Sequence, residues 1–320
     1  MPNPGELFQR DCELIIGPKI TGQNAPQEPT SAKSFKSHII RSSNDPTKFD
    51  GGFKISFNIE KDQEAKANKA KINIYNLSQE TRNFLEDENL IVFLKAGYLG
   101  RISTIFFGNL NERVTTRQGA DLVTSLECGD QEKILQTANV QIGLGPGGTN
   151  IQAFNAAAEA MSLVIPPRQL SLIPNKQFVN GFSFDGTAKS LFEKLTRDID
   201  FKFSIQDGEI QVLGDQADNL DTAVLITPET GLINFPTKTK RGAKFISLLN
   251  PDIVIGRKVK LVSKQFEGAL AASSKLKASE VLKESGIVMI TKKIVITGDS
   301  HEGPWAYNVE GIIPGTESSN

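Results

Sequence analysis

The chain has 320 residues, with 36 Lys and Arg against 37 Asp and Glu, so its net charge is −1 and no global basic field draws it to nucleic acid or anionic lipid. Hydrophobic residues make up 38% and charged residues 23%, the balance of a folded protein and not of a disordered one. The length suits two or three domains whose cores need no staples. Cys12 and Cys128 have no Cys or His close by in sequence, and a structural zinc site needs about four such ligands, so the spacing argues against one. Both read as buried reduced thiols, with a Cys12–Cys128 bridge as the alternative. Aromatics are 19 Phe against 3 Tyr and 1 Trp, which points to core and interface filling. The longest apolar runs, Leu90–Leu94 and Ile287–Ile290, fall far short of the roughly 20 residues that span a bilayer. Glu6 and Asp11 with no long apolar stretch predict no signal peptide, and a cytosolic protein until it is assembled.

The first third reads as β. Cys12–Ile16 and Ser37–Arg41 are short strands separated by a polar loop, Gly22–Lys36. Phe53, Ile55, Phe57 and Ile59 alternate with polar residues, the mark of a half-buried strand. Ala70–Tyr75 alternates again, and Ser78 then caps a short helix, Gln79–Leu85, with Glu80 in its first turn. Leu90–Ala96, Ser103–Phe107, Glu112–Thr116 and Leu122–Cys128 are further strands, punctuated by Gly97, Gly100, Gly108 and Gly119. Short strands at near-regular spacing predict a sandwich or barrel.

The middle changes period. After Gly143–Gly148, Thr149 or Asn150 caps a helix with Ile151, Phe154, Ala158 and Met161 on one face, ended by Pro166-Pro167. A second helix covers Thr187–Ile199. Phe201–Ile205 and Ile210–Leu213 flank Asp207-Gly208, which favours positive φ and a tight hairpin. The last third returns to strands at Val224–Thr227, Lys244–Leu248, Lys258–Ser263, Ile287–Thr297 and Trp305–Ile312, after a polar linker at 215–221. Asn250-Pro251 marks a turn, and so does Gly298-Asp299, where Gly298 is expected at positive φ. Residues 265–285 form a long polar, alanine-rich connection expected to contact a partner, and 315–320 should fray. No fixed-period repeat is legible, though the two β regions that bracket the module are candidates for structural relatives.

Two motif sets stand at opposite ends of the chain. One is Ile74-Tyr75-Asn76-Leu77-Ser78 with Ala96-Gly97-Tyr98 and Phe107-Gly108; the other is Ser247-Leu248-Leu249-Asn250-Pro251 with Gly256, Gly298-Asp299 and Trp305. Both resemble the baseplate hub proteins of contractile-tailed bacteriophages, over nearly the whole chain. Ile296 stands where that family often has His, and 265–285 is longer than usual. The resemblance implies a mainly β protein with two barrel-like tube domains, 1–138 and 215–320, bracketing a small α/β module at 139–214. It further implies a structural homotrimer that links a hexameric tail tube to a trimeric central spike, meets other baseplate proteins, and encloses a channel for DNA in the virion tail. No catalytic, cofactor or metal residue is implied.

Rival chemistry is thin. Gly143-Leu-Gly145-Pro-Gly147-Gly148 matches the dinucleotide fingerprint, but Pro146 removes an N–H and no acid lies where a ribose ligand is due. A helix-entry hinge is the better reading. His38 and His301 are the two histidines, and both read as strand or turn residues and not as catalytic bases. Lys238–Lys244 is the most basic segment and lacks aromatic interleaving, so a solvated or interface loop is expected. A tail-tip peptidoglycan hydrolase is the alternative of another class, although no carboxylate pair marks one.

Overall fold

The computed structural model describes residues 9–19, 27–38, 40–41, 49–63, 68–129, 138–161, 163, 165–199, 202–213, 223–263 and 286–314. The expected linker at 215–221, the connection at 265–285 and the tail at 315–320 lie outside them. The first third contains β1 (Arg10–Pro18), β2 (Lys33–Lys36), β3 (Ile40–Arg41), β4 (Phe49–Asp50), β5 (Ile55–Asp62), β6 (Lys69–Tyr75), α1 (Gln79–Phe84), β7 (Leu90–Tyr98), β8 (Arg101–Gln118) and β9 (Asp121–Gly129). Two predicted strands around Gly108 are one long β8. Gly108 does not end it; a Cβ there would stand 2.6 Å from the Gly129 carbonyl oxygen, so glycine permits a close strand crossing. Lys33–Lys36, read as loop, pairs with β1 as β2.

The middle holds β10 (Asn139–Leu144), α2 (Asn150–Ala160), α3 (Pro167–Leu170), β11 (Phe182–Thr187), α4 (Ala188–Ile199), β12 (Lys202–Gln206) and β13 (Glu209–Leu213). Thr149 caps α2 through a capping box with Gln152. Pro167 does not end α2, which stops at Ala160; it opens α3 instead, as a residue with a fixed φ and no N–H can. Asp207 and Gly208 turn the β12–β13 hairpin at φ 52 and 84. Phe192 packs against Phe154 and Phe203 with ring centroids 5.3 and 4.8 Å away, at the heart of a separate core under α2 and α4.

The last third contains β14 (Val224–Ile226), a 3₁₀ turn at Pro228–Thr230, β15 (Thr237–Lys238), β16 (Gly242–Leu248), β17 (Lys258–Leu261), β18 (Ile287–Asp299) and β19 (Trp305–Ile312). The protein is mainly β. The first and last thirds share one 13-stranded sheet, ordered β15-β16-β19-β18-β5-β6-β9-β8-β7-β1-β2, with β17 joining β18 to β14. Every pairing in it is antiparallel except β14 with β17. Side chains of both thirds, from Cys12 to Val309, form one hydrophobic core.

That sheet contains the same unit twice. The run β5-β6-β9-β8-β7 recurs as β15-β16-β19-β18-β17, in the same chain order. Registers agree as well. β8 slips against β9 between Leu110 and Glu112, and β18 slips against β19 between Thr291 and Lys293, in each case before the pairing resumes with Glu127 and Glu310 respectively. Superposing those bulges brings Lys71–Glu127 onto Lys244–Glu310, and both are ion pairs, at 3.8 and 3.1 Å. The long strand in each unit carries this bulge, and its two halves serve different neighbours. The units join along one seam, where β18 pairs with β5 from Lys293↔Asp62 to Asp299↔Ser56.

Candidate assembly interface

The seam gathers residues from both ends of the chain. Trp305 is buried there; its Nε1 donates to the Gly97 carbonyl at 3.2 Å, and its ring meets Phe57 edge-on at 5.4 Å. The Arg10 guanidinium lies 5.8 Å from the Trp305 ring centroid, and its Nη1 donates to the Asp299 carbonyl at 3.0 Å. Lys54 stands over the Tyr75 ring at 5.0 Å and 3.9 Å from an Asp299 carboxylate oxygen. The Ile55 N–H donates to Ser300 Oγ at 3.0 Å. So Tyr75, Gly97, Asp299 and Trp305, drawn from the two motif sets, meet at one junction.

Gly298 serves that junction in a way that differs from the expectation. It is not at positive φ: it lies within β18, opposite Phe57 of β5 and Trp305 of β19. A Cβ at 298 would fall 2.2 Å from Phe57 Cζ, so the missing side chain makes room for the ring. The turn follows at Ser300–Gly303, with Gly303 at φ 86. Asp299 Oδ1 closes it by accepting from the N–H groups of His301 and Glu302, at 2.9 and 3.1 Å.

The other motif residues shape their own corners. Asn76 sits at φ 59, donates to Asp121 at 2.9 Å and accepts from the Leu122 N–H at 3.0 Å, so it pins the start of β9. Leu77 is buried, and Ser78 caps α1 by accepting from the Thr81 N–H at 3.2 Å. Tyr98 ends β7, its hydroxyl pushed up to about 12 by burial. Leu248 ends β16 and Leu249 is buried beyond it. Asn250 accepts from the Asp252 N–H at 3.0 Å in the turn that Pro251 occupies. Gly256, at φ 79, donates to the Thr291 carbonyl at 2.9 Å beside the β18 bulge.

The middle module docks on β5 and β8 through polar groups that are largely buried. Lys61 of β5 pairs with Asp207 at the β12–β13 turn, and the other Asp207 oxygen accepts from the Phe107 N–H at 3.1 Å. Gln206 donates to the Asp62 carbonyl at 2.9 Å and accepts from Asn68 at 2.9 Å. Burial, and then the charge of Asp207, raise the Glu209 carboxyl above its ordinary range.

Two surfaces are left open. Residues 111–121 at the β8–β9 turn are all exposed, Val114 by 47%. From Leu110 to Gln118, β8 pairs with β9 alone among the described residues, because its pairing with β7 stops at Asn109. The second surface is an open groove of about 790 Å³ lined by Ile233, Phe235, Lys244, Lys293, Val295 and Glu310. Ile233 and Phe235 are 48% and 52% exposed there, next to β15.

The basic segment 238–244 is not a loop; it forms the β15–β16 hairpin, with Lys240 and Arg241 in its turn. His38 is exposed, and His301 is held in the turn with its Nδ1 3.0 Å from Ser300 Oγ. Gly147 donates to the Phe178 carbonyl and Phe178 donates to the Gly148 carbonyl, so the glycine run is a packing loop and β10 pairs with antiparallel β11. Cys12 and Cys128 are free, buried thiols, each pushed up to about 12 by burial. Among the described residues, no three His, Cys, Asp or Glu side chains are placed to hold a metal. The sequence marked the two β regions as candidates for structural relatives without a residue-level repeat, and the common strand order, bulge and ion pair make the relation explicit only in the fold.

A model of the baseplate hub gp41 family matches residues 38–270. No curated protein matches in sequence. The 43 kDa tail protein of a Shewanella oneidensis prophage has a similar fold, with a TM-score of 0.56 at 9% identity over 94% of this chain and 97% of that one. A Neisseria meningitidis tail protein gives 0.48 at 10% identity over 81% and 96%. An E. coli component of the type VI secretion system gives 0.48 at 11% identity over 82% and 74%.

Proposed function

The chain belongs to the baseplate hub gp41 family and is a structural tail protein, and from that premise we propose that three copies form the hub ring on the tail axis. The ring links the hexameric tail tube to the trimeric central spike and encloses the channel through which DNA passes. The observation that carries this reading is the duplicated strand unit, β5 to β9 and β15 to β19. Two like units per chain give six in a trimer, which suits a sixfold tube on one side and a threefold spike on the other. In this reading each unit is the sheet of one barrel-like tube domain, within 1–138 and 215–320, and the module at 139–214 stands outside the ring. Other baseplate proteins meet the outer surface, and assembly begins in the host cytoplasm.

Nothing in this role calls for a catalytic group, and the channel needs no sequence-specific contact with DNA. Mass photometry of the purified protein, alone and with tube and spike proteins, tests the reading. A trimer mass in the complex is expected; a monomer that joins neither protein refutes it.

A further inference from the structure

The middle module meets the large sheet through polar side chains, and we infer that it is a detachable unit, held against β5 and β8 by a latch at the tip of the β12–β13 hairpin. Alternation sorts that hairpin into two faces. Phe203, Ile205 and Ile210 belong to the module's own core. Ser204, Gln206, Glu209 and Gln211 share the opposite face, because Ser204 stands across from Gln211 and Gln206 across from Glu209. The polar face is the one that lies against the sheet. Ser204 Oγ and Gln206 Nε2 donate to the Asp62 carbonyl at 3.4 and 2.9 Å. Asn68, just before β6, donates to Gln206 Oε1 at 2.9 Å and to the Ile205 carbonyl at 3.4 Å. At the tip, Asp207 accepts from the Lys61 ammonium and from the Phe107 N–H.

Such an interface opens at small cost. Among the described residues, the apolar cores of sheet and module have no side chain in common, so little hydrophobic burial holds the two together. The hydrogen bonds across it are exchanged for bonds to water on opening, which makes their net contribution small. Glu209 favours opening outright: burial and the charge of Asp207 hold its carboxyl above the ordinary range, and release to water relieves both. The Lys61–Asp207 pair works the other way. Lys61 is 6% exposed, and removing one partner strands the other charge in a poorly solvated site. That pair therefore sets the balance between docked and open. Opening is a sub-global event that leaves both cores folded and lies below the unfolding of either.

Thiol labelling of the full chain under native conditions, with a maleimide in excess, tests the inference. The native Cys12 and Cys128 are buried in the sheet core and report its opening. Ser204→Cys puts a thiol on the docking face, and Ala157→Cys puts one in the module core; both positions are 0% exposed. The Ser204→Cys thiol is expected to react about tenfold faster, or more, than the Ala157→Cys thiol and the native pair. Adding Lys61→Met should speed the Ser204→Cys thiol about tenfold again and leave the Ala157→Cys rate unchanged. A Ser204→Cys thiol no faster than Cys12 and Cys128 shows that the module opens only with the sheet, and overturns the inference. So does an Ala157→Cys thiol as fast as the Ser204→Cys thiol, since the module then unfolds instead of detaching. A Ser204→Cys rate that ignores Lys61→Met overturns the latch. If Ser204→Cys does not fold, Asn68→Cys, at a position 2% exposed on the sheet side of the same interface, reads the opening through the same comparisons.

Discussion

Gly298→Ala tests how the two units are locked together. The added methyl would lie 2.2, 2.6 and 2.7 Å from three atoms of the Phe57 ring. That ring is 3% exposed and rests edge-on against Trp305, so it has little room to retreat. Overpacking of this kind costs about 1–3 kcal/mol. Replacing glycine within a strand returns about 0.5–1 kcal/mol through the unfolded chain. The expected net loss is therefore about 1–2 kcal/mol. Phe57→Leu alone should cost about 1 kcal/mol through lost packing. In the double variant the shorter side chain accepts the methyl, so the two losses should fall short of their sum by about 1 kcal/mol. Urea unfolding followed by the fluorescence of the chain's 1 Trp reads the seam directly, since Trp305 stands on it. Strict additivity would show that Gly298 is not there to admit the Phe57 ring.

Lys61→Met should destabilise the protein by about 2 kcal/mol, less than a fully buried pair would, because Asp207 is 31% exposed and keeps its bond to the Phe107 N–H; a urea midpoint checks it. Stability should fall as pH rises from about 9 towards 12, because Cys12 and Cys128 titrate near 9.0 when exposed and at about 12 when buried, so alkali ionises the unfolded chain first; denaturation midpoints across that range measure it. Pro251→Ala should cost up to about 1 kcal/mol by freeing φ in the turn after β16, read by the same unfolding curves. His38→Ala and His301→Ala should leave infectivity largely unchanged in a plaque assay, and a peptidoglycan-clearing zone that vanished with either would contradict the structural role.

Most strands were legible because turn residues and period-two patterns agree, as at Ile55–Ile59 and Ala70–Tyr75. The Asp207-Gly208 hairpin was legible for the same local reason. Helix α2 was given by its cap, although Pro167 misled about its end, since proline starts a helix as readily as it stops one. What escaped was non-local. Nothing near Gly298 distinguishes a glycine that turns the chain from one that admits a ring 241 positions earlier in sequence. The merging of two predicted strands into β8 depends on β9 crossing at Gly108, again a long-range contact. Lys61, Asn68 and Gln206 carry no local signal and Asp207 marks only a turn, so only folding brings the four together beneath the module. The seam strands β5 and β18 each looked like a strand, but their pairing, and so the duplicated unit, has no signature in either one alone.

A reconstruction of the intact tail at the junction of tube and spike tests the central claim most directly. Three copies of this chain in a ring on the tail axis, with its two strand units alternating into a sixfold-like face towards the tube, are expected. Six copies in that ring, or density for the chain only away from the axis, would contradict the account.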